Sequence, residues 1–138
     1  MAADPVIATA LGATDLFSSL SRRALDSVAS QAKIANHAAG KEITTEGNSG
    51  VGFHLITAGT AVVRVGNSER GRIGPGTYFG DISLIDGLAR SATVTTETEV
   101  TTIFLPTWNF TPILESEPEV ARALLKVMCA RLRAAESR

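Results

Sequence analysis

At 138 residues the chain has room for one ordinary domain, long enough to close a hydrophobic core without disulfides or a structural metal. Its 44% hydrophobic and 20% charged residues suit a globular domain, and no run approaches the ~20 apolar residues of a membrane span, so no membrane partner is expected. A net charge of −1 from 13 basic and 14 acidic residues leaves no footprint for nucleic acid, and the single cysteine, Cys129, excludes an internal disulfide and points to the cytoplasm.

Met1 to Leu11 is apolar but has no basic region before it and contains Asp4 and Pro5, which makes it a poor secretory signal and predicts a loose N-terminal arm. Ser21 is placed to cap a helix, with Leu20 and Leu25 at the staple positions. Leu25, Val28, Ala29 and Ala32 then recur at helical spacing, so a helix is expected over 22–32. From Ile34 to Leu105 the texture changes to short runs rich in Val, Ile and Thr, broken by glycines. Residues 53–57 and 61–65 read as strands joined by Ala58-Gly59-Thr60; reversals follow at 65–69 and 74–76, then strands at 92–96 and 100–105. Regularly spaced short strands predict a sandwich or barrel.

Pro106 ends the β texture, and Thr107 is placed to cap a short helix carrying Trp108, Phe110, Ile113 and Leu114 toward the core. Ser116-Glu117-Pro118-Glu119 has capping-box spacing, with Ser116 at the N-cap of a helix over about 117–135. That helix bears two apolar stripes, Val120-Leu124-Val127 and Ala121-Leu125-Met128-Leu132, which leaves either a face for a partner or a helix well buried on its own domain. Cys129 falls in this pattern and reads as a buried, inert thiol, while Lys126, Arg131, Arg133 and Arg138 complement the helix dipole.

The stretch with chemical content runs from Phe79 to Thr93, entered from Gly74-Pro75-Gly76. Ile82 to Asp86 allows about one helical turn, whose first N–H groups lack intrahelical partners and attract an anion. Gly80 permits close approach to the backbone. Arg90 offers a planar donor fork, Ser91 a hydroxyl, and Asp81 an acceptor for a sugar hydroxyl. Together they describe a pocket for a phosphorylated, ribose-bearing small molecule.

This segment resembles the phosphate-binding cassette of the cyclic nucleotide-binding family, shared by catabolite activator proteins, regulatory subunits of cAMP-dependent protein kinase and gated channels. The resemblance extends over nearly the whole chain. Leu16-Phe17-Ser18-Ser19-Leu20 is similar to the family's helical lead-in, 39–43 to its early strand, 53–63 to its central hairpin and 74–80 to the turn before its cassette. It implies an α+β fold in which an antiparallel β-barrel or jelly roll (a double-stranded β-helix) is flanked by N- and C-terminal helices. It also implies a single domain over 1–138, divided at about 33 and 105. By the same resemblance Arg90 meets the cyclic phosphate with Ser91 and the Ser83 N–H beside it. Asp81 takes the ribose 2′-hydroxyl, Gly80 closes on the sugar, Val63 and Ile73 wall the base, and Ile82 and Ala92 complete the ligand-binding set. The family's usual acidic residue is glutamate; here it is the shorter aspartate.

His37 and His54 lack a metal-ligand pattern and read as structural or surface residues, and no nucleophile constellation is present, so neither enzyme nor cofactor is expected. The resemblance implies a sensor that binds cAMP, with cGMP left open, and whose C-terminal helices close over the cassette, Leu125, Met128, Leu132 or a partner chain capping the base. The alternative is a degenerate form of the same fold acting without ligand as an interaction or dimerisation module, through the C-terminal helix to a second copy or an effector. A transcription factor is not expected from this chain, since no helix-turn-helix follows the last helix.

Overall fold

The computed structural model describes residues 3–45, 47, 52–88 and 92–137. The chain divides into two compact units, Ala32–Phe110 and, from the two ends together, residues 1–31 and 111–138.

In the unit formed by the chain ends, α1 spans Pro5–Gly12 and α2 spans Arg22–Ala29. The loose arm expected at the N-terminus is in fact helical. Asp4 caps it, its carboxylate accepting from the Val6 N–H at 2.8 Å, and Pro5 occupies the first turn, where its missing N–H costs nothing. Ile7, Ala8 and Leu11 are buried as a result. α2 begins at the predicted cap, Ser21 Oγ accepting from the Ala24 N–H at 3.2 Å, but ends before Ala32.

A third helix, α3 (Asp81–Asp86), and a fourth, α4 (Thr107–Ser116), precede the long α5, Pro118–Glu136. Helix α4 buries Phe110 but leaves Trp108 63% exposed, against the expectation for that tryptophan. Two residues along a helix are about 200° apart, so one face cannot take both rings. Helix α5 starts after Glu117, which makes no side-chain cap, and Ser116 Oγ donates instead to the Pro112 carbonyl at 2.7 Å. The expected capping box is therefore not formed. Its glutamate is used elsewhere: Glu119 accepts from the backbone N–H and, at 2.8 Å, from the hydroxyl of Ser21. Glu119 thus does for α2, from 98 residues away, what a glutamate within α2's own first turn would do. Those bonds, the backbone one first, hold the Glu119 carboxyl below its ordinary 4.5. Arg23 and Glu117 pair alongside at 3.0 Å. Of the two apolar stripes on α5, the first supplies buried Val120 and Leu124, while in the second Leu125 and Leu132 are exposed, and so is Cys129, contrary to its reading as a buried thiol.

The other unit holds two antiparallel four-stranded sheets. The first orders β1 (Lys33–His37), β8 (Val100–Pro106), β3 (Gly52–Ala58) and β6 (Tyr78–Phe79); the second orders β2 (Glu42–Thr44), β7 (Thr93–Thr96), β4 (Ala61–Val65) and β5 (Ser68–Ile73). Among the described residues no sheet closes into a barrel, so the expected antiparallel β-barrel is corrected to two open four-stranded antiparallel sheets. Each sheet keeps two edges, β1 and β6 in one, β2 and β5 in the other. Those edges are short, as in β2 and β6, or polar, as in Ser68-Glu69-Arg70-Gly71-Arg72-Ile73, the usual ways of discouraging further pairing. Closure needs the opposite, a continuous ladder between edge strands.

Central strands carry the buried side chains: Phe53, Leu55 and Ile56 from β3, Ile103 and Leu105 from β8, Val94 from β7. His54 is buried too, its ring stacked between Phe79 (5.2 Å) and Phe104 (4.7 Å). Both histidines meet the buried Thr102 hydroxyl, His37 through Nε2 at 3.1 Å and His54 through Nδ1 at 3.0 Å, which makes them structural members of the first sheet.

Candidate functional site

The site is built from the loop-helix segment after β5 and the inward-facing residues of the second sheet. After β5 the chain reverses at Gly74-Pro75-Gly76. The Thr77 N–H donates to the Gly74 carbonyl at 3.1 Å, and the Gly76 N–H to the Ile56 carbonyl at 2.9 Å. Gly76 has φ +91°, a conformation that favours glycine. The turn delivers β6 against β3 in the register His54 to Phe79 and Leu55 to Tyr78. Tyr78 packs on Phe53 at 5.3 Å and Phe79 stacks on His54, so two aromatic contacts fix where the next segment starts.

Gly80, at φ +83°, then turns the chain into α3 without a side-chain cap. The six-residue helix buries Ser83 and Leu84 and ends at Gly87, φ +72°, whose N–H donates to the Ser83 carbonyl at 2.8 Å. Asp81 is the first helical residue, and the N–H groups of the first turn, Ser83's included, have no carbonyl one turn before them inside the helix.

Opposite α3, strand register sets a row of side chains on one face of the second sheet. Thr44 pairs with Val94, Val94 with Val63, and, one step along the same face of β4, Ala61 with Ile73. The two surfaces line a half-open cavity of about 270 Å³. It is lined by Gly80, Asp81, Ile82 and Ser83 from the α3 side, by Val63, Ile73, Val94 and Thr44 from the sheet with Ala92 just before β7, and by Thr77, Tyr78 and Phe79 between them. The volume lies just below the range of roughly 300–1,000 Å³ usual for small-molecule sites, with residues 89–91 outside the described part of its surroundings.

Each ligand residue nominated from the sequence that the structure describes, namely Asp81, Gly80, Ser83, Ile82, Ala92, Val63 and Ile73, lines this one cavity. Arg90 and Ser91 lie outside the described residues. Sequence reasoning did not nominate five lining residues, Thr44, Val94 and the Thr77-Tyr78-Phe79 run. The period of two from Ala92 was enough to place Val94 on the same face, but nothing short of the β2–β7 register marks Thr44. Chemically the cavity's sheet side is apolar apart from Thr44, and its α3 side bears polar groups, with Asp81 the single carboxylate among the described lining residues.

No group of three or more His, Cys, Asp or Glu side chains able to hold a metal occurs among the described residues. Nor is any described helix long and apolar enough to cross a membrane.

The sequence model of the family described as "Cyclic nucleotide-binding domain" matches residues 35–117. Among curated proteins, a cyclic nucleotide-gated potassium channel of Mesorhizobium japonicum is 31% identical over 127 residues, covering 92% of this chain and 35% of the channel. A cAMP-dependent protein kinase regulatory subunit of Eremothecium gossypii is 36% identical over 89 residues, covering 61% of this chain and 19% of that protein. The chain thus spans about a third or less of the length of these relatives. Among solved structures, the N-terminal domain of a transcriptional regulator from Streptomyces coelicolor A3(2) superposes with a TM-score of 0.81 at 28% identity, covering 93% of each chain.

Proposed function

The chain belongs to the cyclic nucleotide-binding domain family, a regulatory module and not an enzyme, and from that premise we propose that it is a sensor domain that binds a cyclic nucleotide, cAMP first, in the cavity between α3 and the second sheet. The observation that carries this reading is the convergence on one cavity of Gly80, Asp81, Ile82 and Ser83 with Val63, Ile73 and Ala92.

In this reading the cyclic phosphate, a monoanion, lies at the start of α3 by the Ser83 N–H, and Arg90 and Ser91 complete its coordination. A bidentate guanidinium and backbone N–H groups together suit a phosphate better than either alone. Asp81 accepts from the ribose 2′-hydroxyl, while the base lies along Val63 and Ile73. Aspartate is one methylene shorter than the family's usual glutamate, so the sugar sits closer to α3 or is reached through a water. Two of the relatives carry a cyclic nucleotide in their names, one of them cAMP.

Ligand shifts a regulatory equilibrium only through contacts it makes better in one state than in the other. We place the output in α5, where Leu125 is 65% and Leu132 60% exposed and available to a ligand-dependent arrangement, a second copy or an effector. The lone cysteine asks for no oxidising compartment, and we place the domain in the cytoplasm. Replacing Arg90 with Ala, followed by calorimetric titration with cAMP and a thermal melt, tests the assignment. Binding is expected to disappear with the melt unchanged, and unchanged affinity overturns it. The exposed stripe on α5 also favours a second reading, a ligand-free interaction module. That module would show no heat with any cyclic nucleotide.

A further inference from the structure

Helix α5 buries one side and leaves the opposite one bare. Val120, Ala123 and Leu124 are buried, while Leu125 is 65% and Leu132 60% exposed and Cys129 is exposed between them. At 3.6 residues per turn these three fall within about 60° of one another, a narrow apolar line up the outside of the helix. Arg122, Lys126 and Arg133, all exposed, stand along one side of that line, about 60–100° round from Leu125. None of the three forms an ion pair among the described residues. The fourth cation, Arg131, lies on the other side of the line and faces Asp15 at 4.0 Å. The helix dipole accounts for little of the row, since its effect is confined to the last turn, which holds Arg133 alone. Arg122 and Lys126 lie nearer the start and middle of the helix, where a cation gains nothing from it.

We propose that this face of α5 docks an acidic amphipathic helix of another protein, whose apolar residues lie on Leu125, Cys129 and Leu132 and whose carboxylates meet Arg122, Lys126 and Arg133. The inference rests on the placement of the output in α5 and supplies the chemistry of the effector. An apolar line repeating every three to four residues, with charge along its flank, is how one helix recognises another. A second copy of α5 answers the row poorly, because the helix has no acidic residue between Glu119 and Glu136. An anionic bilayer answers it poorly too. A helix lying in a membrane surface buries a broad apolar face, whereas here the line is narrow and the unpaired cations stand on one side of it.

The experiment is fluorescence anisotropy of the whole chain with two labelled synthetic peptides, each of three heptads with leucine at a and d, one bearing glutamate and the other lysine at e and g. The glutamate peptide is expected to bind roughly 10-fold or more tightly than the lysine peptide, the worth of three exposed ion pairs made instead of opposed, and added salt is expected to narrow the gap. Leu132→Asp should weaken the glutamate peptide by roughly 10-fold or more, and Lys126→Glu with Arg133→Glu should reverse the preference. These are exposed positions, so thermal melts should stay unchanged, and a reversal is a result that general loss of structure does not produce. Equal binding of the two peptides, or binding of neither, overturns the inference. So does tighter binding to vesicles of equal parts phosphatidylcholine and phosphatidylserine than to the glutamate peptide, or self-association of the chain that Leu132→Asp abolishes. Titration with cAMP reads the cavity separately. A chain that takes the glutamate peptide but no cyclic nucleotide keeps this inference and loses the sensor, and the reverse result loses only the docking surface.

Discussion

Gly59 turns β3 into β4 at φ +90°, and a Cβ built there would lie 2.1 Å from the Glu99 carbonyl oxygen and 2.9 Å from Val100 Cα. Both neighbours are backbone, so neither rotates out of the way. Gly59→Ala therefore suffers twice. The left-handed conformation costs a side-chain-bearing residue about 1–2 kcal/mol, and relieving the overlap costs about 1–3 kcal/mol more, for a loss of about 2–5 kcal/mol in all. Gly66 supplies the control. It turns β4 into β5 at φ +61° with nothing within 4 Å of its Cβ position, so Gly66→Ala suffers the conformational part alone, about 1–2 kcal/mol. Urea unfolding measures both, as a fall in midpoint at constant slope. Equal losses in the two variants would show that the close approach of the β3–β4 turn to the start of β8 does not constrain the fold as described.

Leu105 is fully buried in β8, and Leu105→Ala is expected to lower stability by about 2–5 kcal/mol in the same assay. Asp81→Ala should weaken cAMP by roughly 10- to 100-fold, the range for a hydrogen bond to a charged group, and 2′-deoxy-cAMP far less; equal losses would remove the ribose role from Asp81. Burial first, and the Lys41 ammonium second, hold the His37 imidazole below its ordinary 6.5. The unfolded chain therefore takes up a proton that the folded one resists, and stability declines as pH falls from 6.5 through the lowered folded value. Denaturant midpoints across that interval should fall for the wild type and stay flatter for His37→Gln. Identical profiles would assign the pH dependence to other groups.

The cassette was legible because its glycines, its carboxylate and its short helix sit at fixed spacing within one local segment. Gly80 and Gly87 both adopt positive φ at the two ends of α3, a demand visible as soon as the turns are placed. The Ser21 cap is legible for the same reason, being satisfied within its own helix. What failed depended on distant partners or on a cue read with the wrong sign. Asp4-Pro5 reads along the sequence as an interruption of an apolar run, although an acceptor followed by proline is also how a helix begins. Glu119 stands three residues after Ser116 but bonds to Ser21, a choice no local rule specifies. β5, with Glu69, Arg70 and Arg72, lacks the alternation of a half-buried strand because it lies at an edge. Strand spacing is equally compatible with open sheets and a barrel, and only pairing between edges separates them. Thr44 becomes part of the site only through the register of β2 on β7.

The proposed ligand of the cavity between α3 and the second sheet is a cyclic phosphate on a ribose. Parallel calorimetric titration with cAMP, cGMP and 5′-AMP is the decisive measurement, since 5′-AMP keeps the base and sugar of cAMP but carries an open, more highly charged phosphate. Saturable heat with a cyclic nucleotide, strongest for cAMP, and none with 5′-AMP is the predicted result. Silence with both cyclic nucleotides, or equal binding of cAMP and 5′-AMP, would contradict it.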